Sequence, residues 1–178
     1  MEAARTRRDE LRTGGRMNDR QVLDTESFVL RKRGRTYADF QVGQTFNHHW
    51  GRTLHESDNT MFCTATCNWN PLYLNYEFAR ANGHPDCPIH PSLVLCVVIG
   101  LSVEDLSETA GPFLGLSNCV FPRPVYPGET LTAESVVLAC RVSDSRPDTG
   151  VVTWRTTGHD RHGDIIVSFV RSNLVAVA

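Results

Sequence analysis

Apolar and polar positions follow different rules in successive stretches of the chain, and each change of rule marks an element. Residues 1–20 are polar and Arg-rich, without an apolar run of signal-peptide length. The segment Tyr37-Ala-Asp-Phe-Gln-Val-Gly-Gln-Thr-Phe46 then leads into a strand that runs through about Leu54. Ser57 is placed to cap a helix whose apolar positions Met61, Phe62 and Ala65 keep helical spacing. That helix stops near Asn68, because Pro71 turns Asn70 away from the helical region. Asn68 to Asn75 reads as a structured loop, and Tyr76 to Asn82 as a short helical turn ended by Gly83.

Pro91 to Leu106 reads as a second, longer helix, with proline at a first position that needs no N–H. Its middle, Leu93 to Leu101, is apolar on every face and so is expected to be buried all round. Val94, Leu95, Val97, Val98 and Leu101 should be nearly inaccessible. Four β-branched runs follow: Phe113 to Pro122, Thr130 to Ser143, Val151 to His159 and Ile165 to Val177. Short turns at Pro127-Gly128, Pro147 to Gly150 and His162-Gly163 favour antiparallel pairing. The pattern predicts an α+β domain, a curved antiparallel sheet wrapped around one buried central helix. Its expected limits are 35–178, with 1–34 a flexible, Arg-rich N-terminal tail.

Charge and cysteine content change this picture little. The net charge of -2 gives no general attraction to nucleic acid, although residues 1–35 hold ten Lys and Arg against six Asp and Glu. No run approaches the roughly 20 apolar residues of a membrane span, and the polar N-terminus does not read as a secretory signal. The six cysteines form no C-x-x-C pair and no zinc-type spacing, so they read as buried, reduced thiols in a cytoplasmic protein. Cys63 and Cys67, four apart, are expected on one helix face. His159 and His162 bracket a hairpin tip, and the adjacent His48 and His49 should point to opposite faces of a strand. Neither pair reads as a metal site, and no cofactor is expected.

The loop between the helices carries a family resemblance. Cys67-Asn68-Trp69-Asn70-Pro71-Leu72-Tyr73, followed by Ile89-His90-Pro91, resembles the signature of the MaoC-like enoyl-thioester hydratases and dehydratases. In that family the segments read Gly-Asp-x-Asn-Pro-Leu-His and Ala-His-Gly. Phe40-Gln41-Val42-Gly43-Gln44 and Arg123-Pro-Val-Tyr-Pro-Gly-Glu-Thr-Leu131 match in the same order, so the resemblance spans about 140 residues. The stretch from Trp69 to Pro85 is most similar to the mesaconyl-CoA hydratase branch. The resemblance implies a single hot-dog fold, a homodimer, and an acyl-CoA or acyl-carrier-protein thioester as substrate.

It also implies roles. Family members use the loop Asp and His to hold a water and exchange protons with it. Backbone N–H groups at the start of the buried helix stabilise the thioester enolate. Adding water β to a thioester needs both a base and an oxyanion site. Here Asn68 stands for the acid and Tyr73 for the histidine, and neither takes a proton readily near neutral pH. His90 is the remaining titratable group at the helix start. Pro91 has no N–H, so Ser92 is the expected oxyanion donor. Asn70 is expected to hold the loop, and Trp69 to be core or pocket wall. Tyr76 is a further candidate, with His84 and Asp86 nearby in sequence. Three readings remain open. One is a lyase with a rearranged site, and another an acyl-binding subunit without chemistry of its own. The third is a hot-dog thioesterase, for which no Asp or Glu precedes Glu104 on the buried helix.

Overall fold

The computed structural model describes residues 34–177. The expected tail over 1–34 therefore lies outside the described residues, Gly34 excepted. Three helices occur among them: α1 (Glu56–Ala65), α2 (Tyr76–Ala81) and α3 (Pro91–Leu106). The strands are β1 (Thr45–Asn47), β2 (Arg52–Thr53), β3 (Phe113–Val120), β4 (Thr130–Val142), β5 (Thr149–His159) and β6 (Ile165–Ala176). All pair antiparallel in the order β1-β4-β5-β6-β3, with β2 on the far end of β4. This is the α+β arrangement that the hydrophobic pattern predicts.

The single strand expected before Leu54 is instead two short pieces. Residues 48–50 turn toward the C-terminal half of α3, where His48 Nδ1 meets Asp105 Oδ2 at 2.8 Å and Trp50 Nε1 donates to Glu104. His48 is buried and His49 exposed, so the two do point apart. Helix α1 begins at Glu56, and the Asp58 carboxylate reaches back to accept the His55 N–H at 2.9 Å. Ser57 thus lies inside the first turn rather than capping it. The inward positions of α1 are Asn59 and Cys63, while Met61 and Ala65 face solvent. Cys67 leaves the helix with φ 54° and is exposed, so it does not share the buried face of Cys63.

One inner face of the sheet carries Leu131, Ala133, Val167 and Phe169, which pack with Val94, Val97, Val98 and Leu101 of α3 into one buried cluster. A second cluster, built on Phe40, Phe46, Leu106, Val137, Val152 and Trp154, sits under the C-terminal half of the helix. Gly158 lets the helix come close: a Cβ there would meet Val98 at 2.7 Å. The helix is not covered all round, however. Ser92, Cys96 and Gly100 form an exposed stripe, and Leu95 is half-buried rather than inaccessible. Of the six cysteines only Cys63 and Cys87 are fully buried.

Between the clusters runs a seam of polar side chains. His48 Nε2 meets Ser135 Oγ at 2.9 Å, and Ser135 Oγ meets Thr156 Oγ1 at 2.8 Å. Arg171, 2% exposed, donates to Ser102 Oγ and lies over the Trp154 ring. Strand β3 has an unpaired outer edge bearing exposed Phe113, Leu114 and Val120. Its pairing with β6 slips twice, between Phe113 and Gly115 and between Ser117 and Val120, and Asn118 takes φ 50°.

Candidate active site

Two loops and one helix start build the site. At the end of α1, Cys67 occupies the glycine position of the family signature and enters the left-handed region that glycine reaches without strain. The chain turns there, and Asn68 Oδ1 accepts the Asn70 N–H at 3.2 Å. Asn70 Oδ1 in turn accepts the Leu72 N–H at 3.0 Å, capping a 3-10 turn over Pro71–Tyr73. Both amides thus bond the backbone of the loop.

His90 is the residue before α3. Its Nδ1 accepts the Ser92 N–H at 3.1 Å, and its Nε2 lies 2.7 Å from Asn68 Nδ2. The Tyr73 ring stands 4.6 Å from the imidazole, centroid to centroid, and the Phe62 ring 5.2 Å from it. Asn68, Tyr73 and His90 are therefore brought together. Burial holds His90 below its ordinary pKa and Tyr73 above its own, so near neutral pH both are uncharged. The site then contains one imidazole able to take a proton and one phenol able to give a hydrogen bond.

The hydrogen bonds around His90 do not close with asparagine. A neutral imidazole accepts at one nitrogen and donates at the other. If Nδ1 accepts from Ser92, Nε2 carries the proton, and the Asn68 atom facing it must be the oxygen. The same oxygen is wanted by the Asn70 N–H, and the amide has only one. A carboxylate at this position would accept both. The start of α3 is also self-satisfied: Pro91 has no N–H, the Ser92 N–H is spent on His90, and the Leu93 N–H bonds the His90 carbonyl at 2.9 Å. A thioester oxygen gains the Ser92 donor only when the imidazole gives it up.

The other expected residues lie apart from this cluster. Trp69 projects outward, 66% exposed, and so is not core. The Tyr76 hydroxyl donates to Glu56, which keeps the phenol protonated. His84 Nδ1 pairs with the Tyr126 hydroxyl at 3.0 Å, and Asp86 accepts the Cys87 N–H. Glu104, the first acid on α3, bonds Trp50 at the opposite end of the helix from His90. Among the described residues no group of three or more His, Cys, Asp and Glu is placed to hold a metal ion. One contributor went unread in the sequence: Asn59, 2% exposed, reaches both loops. Its signal was a polar residue four positions before Cys63, on the face that the fold buries.

The arrangement matches known proteins. The profile of the mesaconyl-CoA hydratase family fits residues 18–177. The mesaconyl-CoA hydratase of Haloarcula hispanica is 36% identical over 146 residues, which are 82% of this chain and 41% of that protein. This chain belongs to the mesaconyl-CoA hydratase family. Within that family's MaoC-like hot-dog fold, the crystal structure of a MaoC domain protein dehydratase from Chloroflexus aurantiacus superposes with TM-score 0.77 at 31% identity, covering 80% of this chain and 40% of that one. A Mycobacterium tuberculosis protein described as having a double hotdog fold superposes with TM-score 0.75 at 26% identity, covering 82% and 45%. The chain thus spans about two fifths of the length of the curated family members it matches. The hot-dog assignment made from the loop signature holds, and the family's proteins are named as hydratases and dehydratases of CoA thioesters.

Proposed function

We propose that this chain is a hydratase- or dehydratase-type subunit for an acyl thioester, carried by CoA or by a carrier protein. Its altered site would use His90 as the proton acceptor and the Tyr73 phenol as a neutral hydrogen-bond donor. The observation that carries the reading is the convergence of Asn68, Tyr73 and His90 at the N-terminus of α3. In the hydration direction, His90 removes a proton from water, the hydroxyl oxygen bonds the β-carbon, and the α-carbon of the resulting enolate takes that proton back from the His90 imidazolium, which returns to its neutral form. The charge on the thioester oxygen falls at a helix N-terminus, where the peptide dipoles favour it. No cofactor enters this scheme.

Crotonyl-CoA tests it through the decay of enoyl-thioester absorbance. Slow turnover by the wild type, abolished in His90→Ala, is the expected result. Brisk hydration left unchanged by His90→Ala would overturn this account of the site. A second reading, an acyl-binding subunit without chemistry, is favoured by the engagement of both His90 ring nitrogens and by the length of the relatives. It predicts quenching of the exposed Trp69 by crotonyl-CoA without turnover.

The active unit is proposed to be a homodimer in which two sheets join and the sites are completed between chains. The open edge of β3 and the uncovered Ser92, Cys96 and Gly100 stripe on α3 support a partner of like fold. Light scattering at micromolar concentration should return twice the chain mass of 19.9 kDa. A monomer at that concentration counts against the pairing.

A further inference from the structure

We infer that Asn59 is a positioning residue that sets the distance between Tyr73 and His90. This rests on the reading of those two residues as the site. Asn59 projects inward from the first half of α1 and is 2% exposed. Its Nδ2 donates to the Tyr73 carbonyl at 3.0 Å and to the Pro88 carbonyl at 3.1 Å, and its Oδ1 accepts the His90 N–H at 2.8 Å. One side chain thus holds three backbone points, on the loop that carries Tyr73 and on the segment that leads into α3.

The chemistry of the three partners leaves the amide no choice. Two carbonyls require the NH2 group, and one N–H requires the oxygen, so both donors and the acceptor atom are engaged in a single orientation. Buried networks of this kind fix a geometry because a half-satisfied alternative is costly. The Asn68–His90 contact also joins the two segments, but it is made by the site residues themselves. Asn59 is a link from outside the site. It is held in turn by α1, whose first turn is tied down by Asp58 through His55 and Arg52. From the opposite side the Ile89 N–H bonds the Val125 carbonyl at 2.7 Å, so the segment before His90 is gripped between α1 and the turn before β4.

Asn59→Asp is the probe, since it keeps the volume and the acceptor for His90 while replacing both donors by an oxygen that repels the Tyr73 and Pro88 carbonyls. Val137→Ala, in the second core cluster, serves as a destabilising control away from the site. Two readouts are taken on the full chain: the nuclear Overhauser contact between the Tyr73 and His90 rings, and the kinetics with crotonyl-CoA. Asn59→Asp is expected to lose the ring contact and to lower kcat at least about tenfold with KM changed less than about threefold, as misplacement of reacting groups does. Val137→Ala should keep the contact and stay within about twofold of wild type in kcat. Retention of the ring contact in Asn59→Asp, with kcat equal to that of the control, overturns the inference. Should the wild type show no turnover, the proposed function fails while the ring contact still decides the role of Asn59. If Asn59→Asp does not fold, Asn59→Ser, which retains one donor and one acceptor, replaces it with the same two outcomes.

Discussion

Asn68→Asp combined with Tyr73→His is expected to raise the rate of crotonyl-CoA hydration at least about a hundredfold over the wild-type chain, since a positioned general acid–base group is worth about 10²–10⁴. The scaffold that such side chains need is already present. Asn70 caps the 3-10 turn, and Cys67 takes the left-handed turn that aims position 68 at His90. An aspartate there also resolves the conflict around the imidazole, accepting both the Asn70 N–H and the Nε2 proton. Its negative charge would draw the His90 pKa back up from the value that burial imposes. A histidine at 73 would place an imidazole where the phenol ring now stacks, 4.6 Å from His90. The double variant should exceed either single change, because one group must hold the water while the other moves its proton. Steady-state rates of the four proteins check this. A double variant no faster than wild type would mean that these two residues do not limit chemistry.

Acid should weaken the fold well before carboxylates titrate, and buried His48 should contribute to the effect. Burial holds its pKa below the ordinary 6.5, against the opposing hydrogen bond and charge of Asp105; Arg171 and His49 also face it and push the same way as burial. The sign follows from proton uptake. With the folded pKa depressed, the unfolded chain binds the extra proton first, so this contribution to stability is complete above pH 6.5 and is lost as the pH falls below it. His90, also lowered by burial, adds in the same direction. Asp58 and Asp160 titrate in a separate window below about pH 4. The backbone hydrogen bond from His55 lowers the first, and those from Asp164 and His162 outweigh burial in the second. Denaturant midpoints measured between pH 8 and pH 5 should therefore fall, and His48→Gln should flatten that slope. His48→Leu should cost about 1–3 kcal/mol at pH 8, since it leaves Asp105 without its partner and Ser135 with Thr156 alone. A wild-type midpoint constant across that range would mean that His48 takes up its proton equally in the folded and unfolded chain, and one that rose toward pH 5 that the fold favours its charged form.

Periodicity sufficed for the long elements. The apolar run from Leu93 to Leu101 and the four β-branched runs located α3 and β3 to β6 within a few residues, because burial on a continuous sheet leaves a strong imprint. It misled where polar groups face inward. Asn59 and His48 are buried by virtue of partners far away in sequence, on segments 14 to 87 residues distant. No local pattern announces such partners. Met61 and Ala65 kept helical spacing yet face outward, since the short α1 is anchored by Asn59 and Cys63 instead. The loop residues Asn68, Tyr73 and His90 were legible through the signature alone. That Ser92 would spend its N–H on His90 was not, because such a bond is a matter of rotamer rather than of residue type.

The irregular outer strand has a consequence for how copies of the protein meet. An open sheet edge is a template that any passing strand can extend, and regular edges of this kind invite endless stacking. Here the two slips in the pairing of β3 and the left-handed Asn118 break the row of free N–H and C=O groups into short, misaligned runs. A generic strand finds no continuous ladder to complete, whereas an edge with bulges at matching heights does. The exposed Phe113, Leu114 and Val120 can therefore remain sticky without making the protein prone to fibres. The kinked strand works as a key, admitting a partner cut to the same profile.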